Sequence, residues 1–222
     1  MGVLLNPYRF KAAIAPAFVS YIGTASGSTG SNIPINIGSA FPGREVFIFL
    51  VGTSAGATLT SATIGGVPAK IHVQRTGPWT SSTATAALIS APVPAGTSVN
   101  VVPTFSISGL TMYLHSWAVG NLVSDTAIAT ASQAVNNLTT ATMSIATVPD
   151  GLVLGGAGTY SAAGTNFGNW TRDYLDQVGS TFIRRVGGHA LTTATEARSI
   201  TITDARGVSG SFQGPCLAAS FR

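Results

Sequence analysis

Gly52-Thr53-Ser54-Ala55-Gly56 spells the pattern G-x-S-x-G, the signature of a nucleophile elbow. It follows the apolar run Val46-Phe47-Ile48-Phe49-Leu50-Val51, as an elbow follows a strand. An elbow must then open a helix, so that backbone N–H groups surround the serine. Here Thr58-Leu59-Thr60-Ser61-Ala62-Thr63-Ile64 follows, which is a β pattern. A triad also needs an acid and a histidine, and His189 lies downstream. In a chain with 26 glycines a five-residue match of this kind is cheap. A serine hydrolase acting through Ser54 is therefore a minor reading, and no catalytic residue is assigned.

His72, His115 and His189 are far apart, and no H-x-H or H-E-x-x-H spacing supports zinc. Asp173 and Asp176, with Asn166 and Asn169, lack the loop pattern of a calcium site and read as turn and surface residues. With seven acids in all, no carboxylate pair stands out for glycoside hydrolysis. Neither a phosphate-binding P-loop nor a dinucleotide-binding glycine motif is present. No cofactor and no metal are expected.

Carbohydrate stacking is the more serious chemical option. Trp79, in Gly77-Pro78-Trp79-Thr80, and Trp170, in Gly168-Asn169-Trp170-Thr171, sit in loop-like contexts, with Tyr160 and Tyr174 near the second. Trp79, Trp170 and Tyr174 are the candidate glycan contacts. The competing reading is that these rings cap the ends of a β core, and it is the favoured one.

Positioning any of these groups falls to β structure. No long helical periodicity exists; short runs of β-branched and aromatic residues alternate with Gly, Pro, Asn and Ser. Strands are expected near 17–24, 32–38, 45–51, 58–64, 68–74, 83–90, 98–106 and 111–119, then 125–131, 139–147, 151–157, 169–175, 181–187, 198–204 and 211–221. Residues 46–51 are apolar on both faces, which marks a central strand, whereas Ser98-Val99-Asn100-Val101 and Ser199-Ile200-Thr201-Ile202-Thr203 alternate as half-exposed strands do. Phe41-Pro42-Gly43 and Val148-Pro149-Asp150-Gly151 are turn signals.

The two turns belong to a longer parallel. Ile35-Asn36-Ile37 and Pro42 align with Met143-Ser144-Ile145 and Pro149, at offsets of 108 and 107 residues. Phe47-Ile48-Phe49 then matches Leu152-Val153-Leu154, and residues 98–102 match 199–203. This is the trace of a degenerate repeat, 17–120 against 121–222, although any two β-meanders share part of such a rhythm. The halves could be two layers of one sandwich or two small sandwiches. One domain over 17–222 is preferred, because no Pro/Gly/Ser linker separates them near Gly120-Asn121. Residues 1–16, with Pro7 and Pro16, stand apart as a short N-terminal arm.

Composition limits the function classes. Charged residues are 8% of the chain against about 25% in a typical soluble domain, while hydrophobic residues hold a normal 45%. Such a surface is weakly protected against association by charge repulsion. The formal net charge of +4 comes from scattered residues, and Arg184-Arg185 is the only adjacent basic pair, so no nucleic-acid footprint forms. The single cysteine, Cys216, lies in an apolar run and reads as a small buried hydrophobe. No apolar run reaches the roughly 20 residues that span a bilayer, and no secretory pattern is evident at the N-terminus. Asn6 stands where N-myristoylation needs Ser or Thr. Synthesis in a bacterial cytoplasm without export is expected.

Leu4-Leu5-Asn6-Pro7-Tyr8-Arg9-Phe10 resembles the start of tailed-bacteriophage structural proteins. Thr24-Ala25-Ser26-Gly27-Ser28, the turn and strand from Phe41 to Val51, Asn169-Trp170-Thr171-Arg172 and the final run Leu217 to Phe221 resemble a loose class of phage sandwich proteins. Arg44-Glu45 departs from the Gly-Asp usual there. The resemblance implies an all-β, antiparallel, jelly-roll-like β-sandwich with a short N-terminal arm. It implies a non-enzymatic virion protein: a capsid decoration or other particle-mounted component whose partners are copies of itself and other virion proteins. The arm would dock through Leu4, Leu5, Pro7, Tyr8, Arg9 and Phe10. The alternative is a tail-associated module that binds a host receptor or surface glycan.

Overall fold

The computed structural model describes residues 15–222 apart from 54–55, 80–81, 161–164, 167–169, 179–182 and 205–211. It describes only the backbone of 160, 165–166, 177–178, 183–184, 204 and 212. The regular elements are all strands. The first half holds β1 (Phe18–Ser28), β2 (Ile33–Asn36), β3 (Glu45–Thr53), β4 (Leu59–Ile64), β5 (Val67–Pro68), β6 (Lys70–Trp79), β7 (Ser82–Pro92), β8 (Ser98–Phe105) and β9 (Thr111–Gly120). The second holds β10 (Ala129–Leu138), β11 (Thr140–Ala146), β12 (Gly151–Tyr160), β13 (Thr165–Asn166), β14 (Thr171–Val178), β15 (Ile183–Thr192), β16 (Ala197–Asp204) and β17 (Phe212–Phe221).

The expected strands are present, with local differences. The run 68–74 divides into β5 and β6. The strand expected at 125–131 begins only at Ala129, because Ser124 accepts the Thr126 N–H in a turn. Phe41-Pro42-Gly43-Arg44 makes its turn: Arg44 N–H donates to the Phe41 carbonyl at 3.3 Å, and Gly43 takes φ 70° in the third position. At the matching turn Asp150 takes φ 57°, a left-handed conformation that Asp tolerates.

The strands form antiparallel sheets packed as sandwiches, but not as one pair of layers. The first half makes an inner sheet ordered β1-β9-β3-β7-β6 and an outer sheet ordered β2-β8-β4-β5. Its pairings nest, β1 with β9, β2 with β8, β3 with β7 and β4 with β5. The second half makes an inner sheet β10-β17-β12-β15-β14 and an outer sheet β11-β16-β13, the same order. Ladder registers correspond as well. Ile35 faces Val99 and Ile33 faces Val101, while Met143 faces Ile200 and Ala141 faces Ile202. The layout is therefore four layers with three cores, not the two layers of a single sandwich.

β3 explains the stacking. Val46, Ile48 and Leu50 point into the first half's own core, and Phe47, Phe49 and Val51 into the seam between halves. A strand buried on both faces must be apolar on both. Across the seam β12 answers with Leu152 and Leu154, then with glycines. A Cβ on Gly156 would lie 2.8 Å from the Phe49 ring, and one on Gly158 2.7 Å from Val51 Cγ1. The large side chains of β3 occupy the space those glycines vacate.

Arg44 is a structural residue. It is 1% exposed, and among the described residues no acid pairs with it. Its guanidinium donates to the carbonyls of Val93, Ile37, Gly38, Ser39, Ala95 and Gly96, at 2.6 to 3.3 Å. It stitches the β2–β3 connection to the β7–β8 connection. The departure from Gly-Asp noted in the sequence is thus a loop clamp.

Candidate functional site

The seam between halves is tight on one side and wide on the other. On the β6 side the backbones touch: a Cβ on Gly77 would meet the Gly214 and Pro215 backbone at 2.8–2.9 Å. On the opposite side β1 and β9 face β14 and β15 across a gap filled by long side chains. Tyr21, Tyr113, His115 and Trp117 come from the first half, and Asp173, Tyr174, Asp176, Arg185 and His189 from the second. This wedge brings two of the three histidines, His115 and His189, together with Asp173 and Asp176.

Two carboxylates organise it. Asp173 accepts from Trp117 Nε1 at 2.6 Å, and His189 Nδ1 lies 2.8 Å from its Oδ2. Asp176 accepts from Arg185 Nε at 3.0 Å, and its other oxygen lies 3.6 Å from His115 Nε2. The His115 imidazole stacks on Tyr174 with centroids 3.6 Å apart and planes 3° apart. Tyr21 Oη lies 3.3 Å from His115 Nδ1. The Arg185 guanidinium covers the Tyr113 ring at 3.6 Å, a cation–π contact.

Burial sets the protonation states. His115 is fully buried and its pKa falls to about 3, through desolvation and then the nearby Arg185 charge. Burial pushes Tyr21 up to about 12, with Asp176 and Asp173 adding to the shift. Burial also raises Asp176, against the pull of Arg185. At neutral pH the wedge therefore contains a neutral His115, neutral Tyr21 and Tyr174 and an Asp176–Arg185 ion pair.

Asp173 and His189 form an acid–histidine dyad, two members of a hydrolase triad. Among the described residues no hydroxyl or thiol hydrogen-bonds to His189. Ser54 lies outside the described residues. Thr53, the last described residue before it, pairs with Thr111, six positions along β9 from Trp117. Within the described wedge the carboxylate ties Trp117 of one half to His189 of the other.

A second polar trio lies on β3, β6 and β7. Ser90 Oγ donates to Glu45 Oε1 at 2.6 Å, and His72 Nε2 lies 2.9 Å from the same hydroxyl. With its single proton on Glu45, Ser90 can only accept from His72. This polarity is the reverse of a triad, where histidine accepts the serine proton. Burial raises Glu45 and lowers His72 to about 4.

The candidate sugar contacts are core residues. Trp79 is 4% exposed in the seam core, Trp170 is 7% exposed in the second half's core, and Tyr174 lies under His115 in the wedge. A stacking platform needs an open ring face, and these three present none. The arm residues Leu4, Leu5, Pro7, Tyr8, Arg9 and Phe10 lie outside the described residues, as do Asn169 and the side chain of Asn166. Cys216 is buried with its thiol pushed up, as a small hydrophobe.

Asp173 and Asp176 are corrected from surface residues to seam residues. The signal available was two aspartates within one strand, where Asp is depleted. No family model, curated protein or solved structure matches the chain.

Proposed function

We propose that the chain is a non-enzymatic structural protein of a bacteriophage particle, mounted on the capsid surface or the tail, whose partners are copies of itself and other virion proteins. The observation that carries this reading is where the chemistry sits. The acidic, histidine, arginine and tyrosine groups of the wedge are turned into the seam, where Trp117 donates to Asp173, His115 stacks on Tyr174 and Arg185 covers Tyr113, while the outer faces are uncharged Ser/Thr/Ala β surface. On β11 the exposed positions are Thr142, Ser144 and Ala146, and on β2 they are Pro34 and Asn36. A surface of this kind associates readily, because nothing in it repels a neighbour. A stack of two sandwiches joined through a third core supplies rigidity. The resemblance of the opening residues and of the strand rhythm to phage sandwich proteins supplies the particle context, and it assigns residues 1–16 the role of docking arm.

The test is the copy number of the chain in purified particles, by quantitative mass spectrometry against the major capsid protein. A capsid-like number supports decoration, and a low fixed number supports a tail component. Absence from particles overturns the proposal.

A further inference from the structure

The two halves provide an internal comparison of sheet edges. An open edge presents unpaired N–H and C=O groups, and proteins blunt such edges with proline, charge, bulges or brevity. Most edges here are blunted. β6 carries Lys70, Arg75 and Pro78. β14 carries Arg172, Asp173 and Asp176, with a bulge between Arg172 and Tyr174. β1 is uncharged but broken by a bulge between Tyr21 and Gly23. β2, the outer-sheet edge of the first half, has four residues and contains Pro34.

β11 occupies the place of β2 in the second half, and every one of these devices is missing from it. Its seven residues Thr-Ala-Thr-Met-Ser-Ile-Ala contain no proline, glycine or charge, and their ladder to β16 runs without a bulge from Thr140 to Ala146. Among the described residues no strand pairs with its other edge. A groove of about 390 Å³ runs along this edge between β11 and β10, lined by Thr130, Ser132, Gln133, Thr142, Met143 and Ser144. The Gln133 Oε1 atom faces no donor and is shut off from solvent.

We infer that β11 is a pairing edge for a second copy of the same chain, joined antiparallel about a two-fold axis near Met143. A copy fits because the edge is self-complementary. Antiparallel pairing centred on Met143 sets Thr142 opposite Ser144 of the second copy and the reverse, so two small hydroxyl pairs meet with no like charges opposed. A two-fold interface of this type closes, which yields a dimer and not a fibre. The outer sheet then continues from one copy into the next, and the β10 edges come together alongside it. This inference stands apart from the particle reading, since it concerns the isolated chain in solution.

The test uses the full chain and three forms in sedimentation velocity across a concentration series. Wild type is expected to dimerise. T142K/S144K places lysines opposite lysines twice and is expected to weaken dimerisation roughly tenfold or more. T142K/S144E places lysine opposite glutamate and is expected to restore it. Both positions are exposed in the single chain, so all three forms should share one circular dichroism spectrum and unfolding midpoint when monomeric. A wild type that stays monomeric, a lysine pair that dimerises like wild type, or a Lys/Glu form that stays monomeric overturns the inference.

Discussion

His115 makes the seam sensitive to mild acid. In the folded protein it stays neutral down to about pH 3, whereas in the unfolded chain it takes a proton near its ordinary 6.5. Between those limits the unfolded state binds more protons, so stability falls as pH falls. The slope is about 1.4 kcal/mol per pH unit, which gives about 2 kcal/mol lost between pH 6.5 and 5 and about 5 by pH 3. His72, lowered to about 4, acts in the same direction, and Asp176, raised by burial, acts oppositely as it protonates. H115F separates these contributions: it keeps a flat ring against Tyr174 and cannot take a proton. Urea unfolding at a series of pH values from 7.5 to 5 should show the stability of wild type falling about 2 kcal/mol more than that of H115F. The slope matters and not the absolute level, since H115F also loses the Tyr21 contact. Parallel slopes for the two proteins would refute the claim that this imidazole is buried neutral in the seam.

Three further outcomes follow from the packing. R44M should lower unfolding free energy by about 3 kcal/mol or more in urea titration, because it strips the donors from six carbonyls in two loops; a loss under 1 kcal/mol would show that the clamp is dispensable. G156A pushes a methyl toward the Phe49 ring and should cost roughly 1–3 kcal/mol in the same titration, with an unchanged midpoint counting against the close approach of β3 and β12. Cys216 should resist a thiol reagent in native buffer and react fully in denaturant, as burial and a raised pKa both require.

The strand pattern was legible because nearly every element is bounded by Gly, Pro or Asn, and because period-two alternation separates outer strands from inner ones. Residues 46–51 announced a strand buried on both sides. The same run was not enough to show what lay on each side, since two-faced apolarity fits a central strand in several layouts. The second inner layer was harder still. β12 reads Gly-Leu-Val-Leu-Gly-Gly-Ala-Gly, and its glycines look like weakness until Phe49 and Val51 are seen to fill their places. The polar wedge was hidden for a different reason. Asp176 and Arg185 pair directly across β14 and β15, but His115 reaches them only through the packing of two sheets, which no spacing along the chain encodes. The tryptophans allowed two readings, because loop-like flanks such as Gly77-Pro78 sit beside rings that turn into the core, and their burial agrees with the favoured one.

The most direct test of the structural role is add-back. Particles made without this chain are mixed with increasing amounts of the purified protein and sedimented, and bound chain is counted per particle. Binding should saturate at a fixed number of copies per particle and be lost when residues 1–16 are removed from an otherwise folded protein. Protein that stays in the supernatant at every concentration, or that binds without saturating, would contradict a built-in place on the particle.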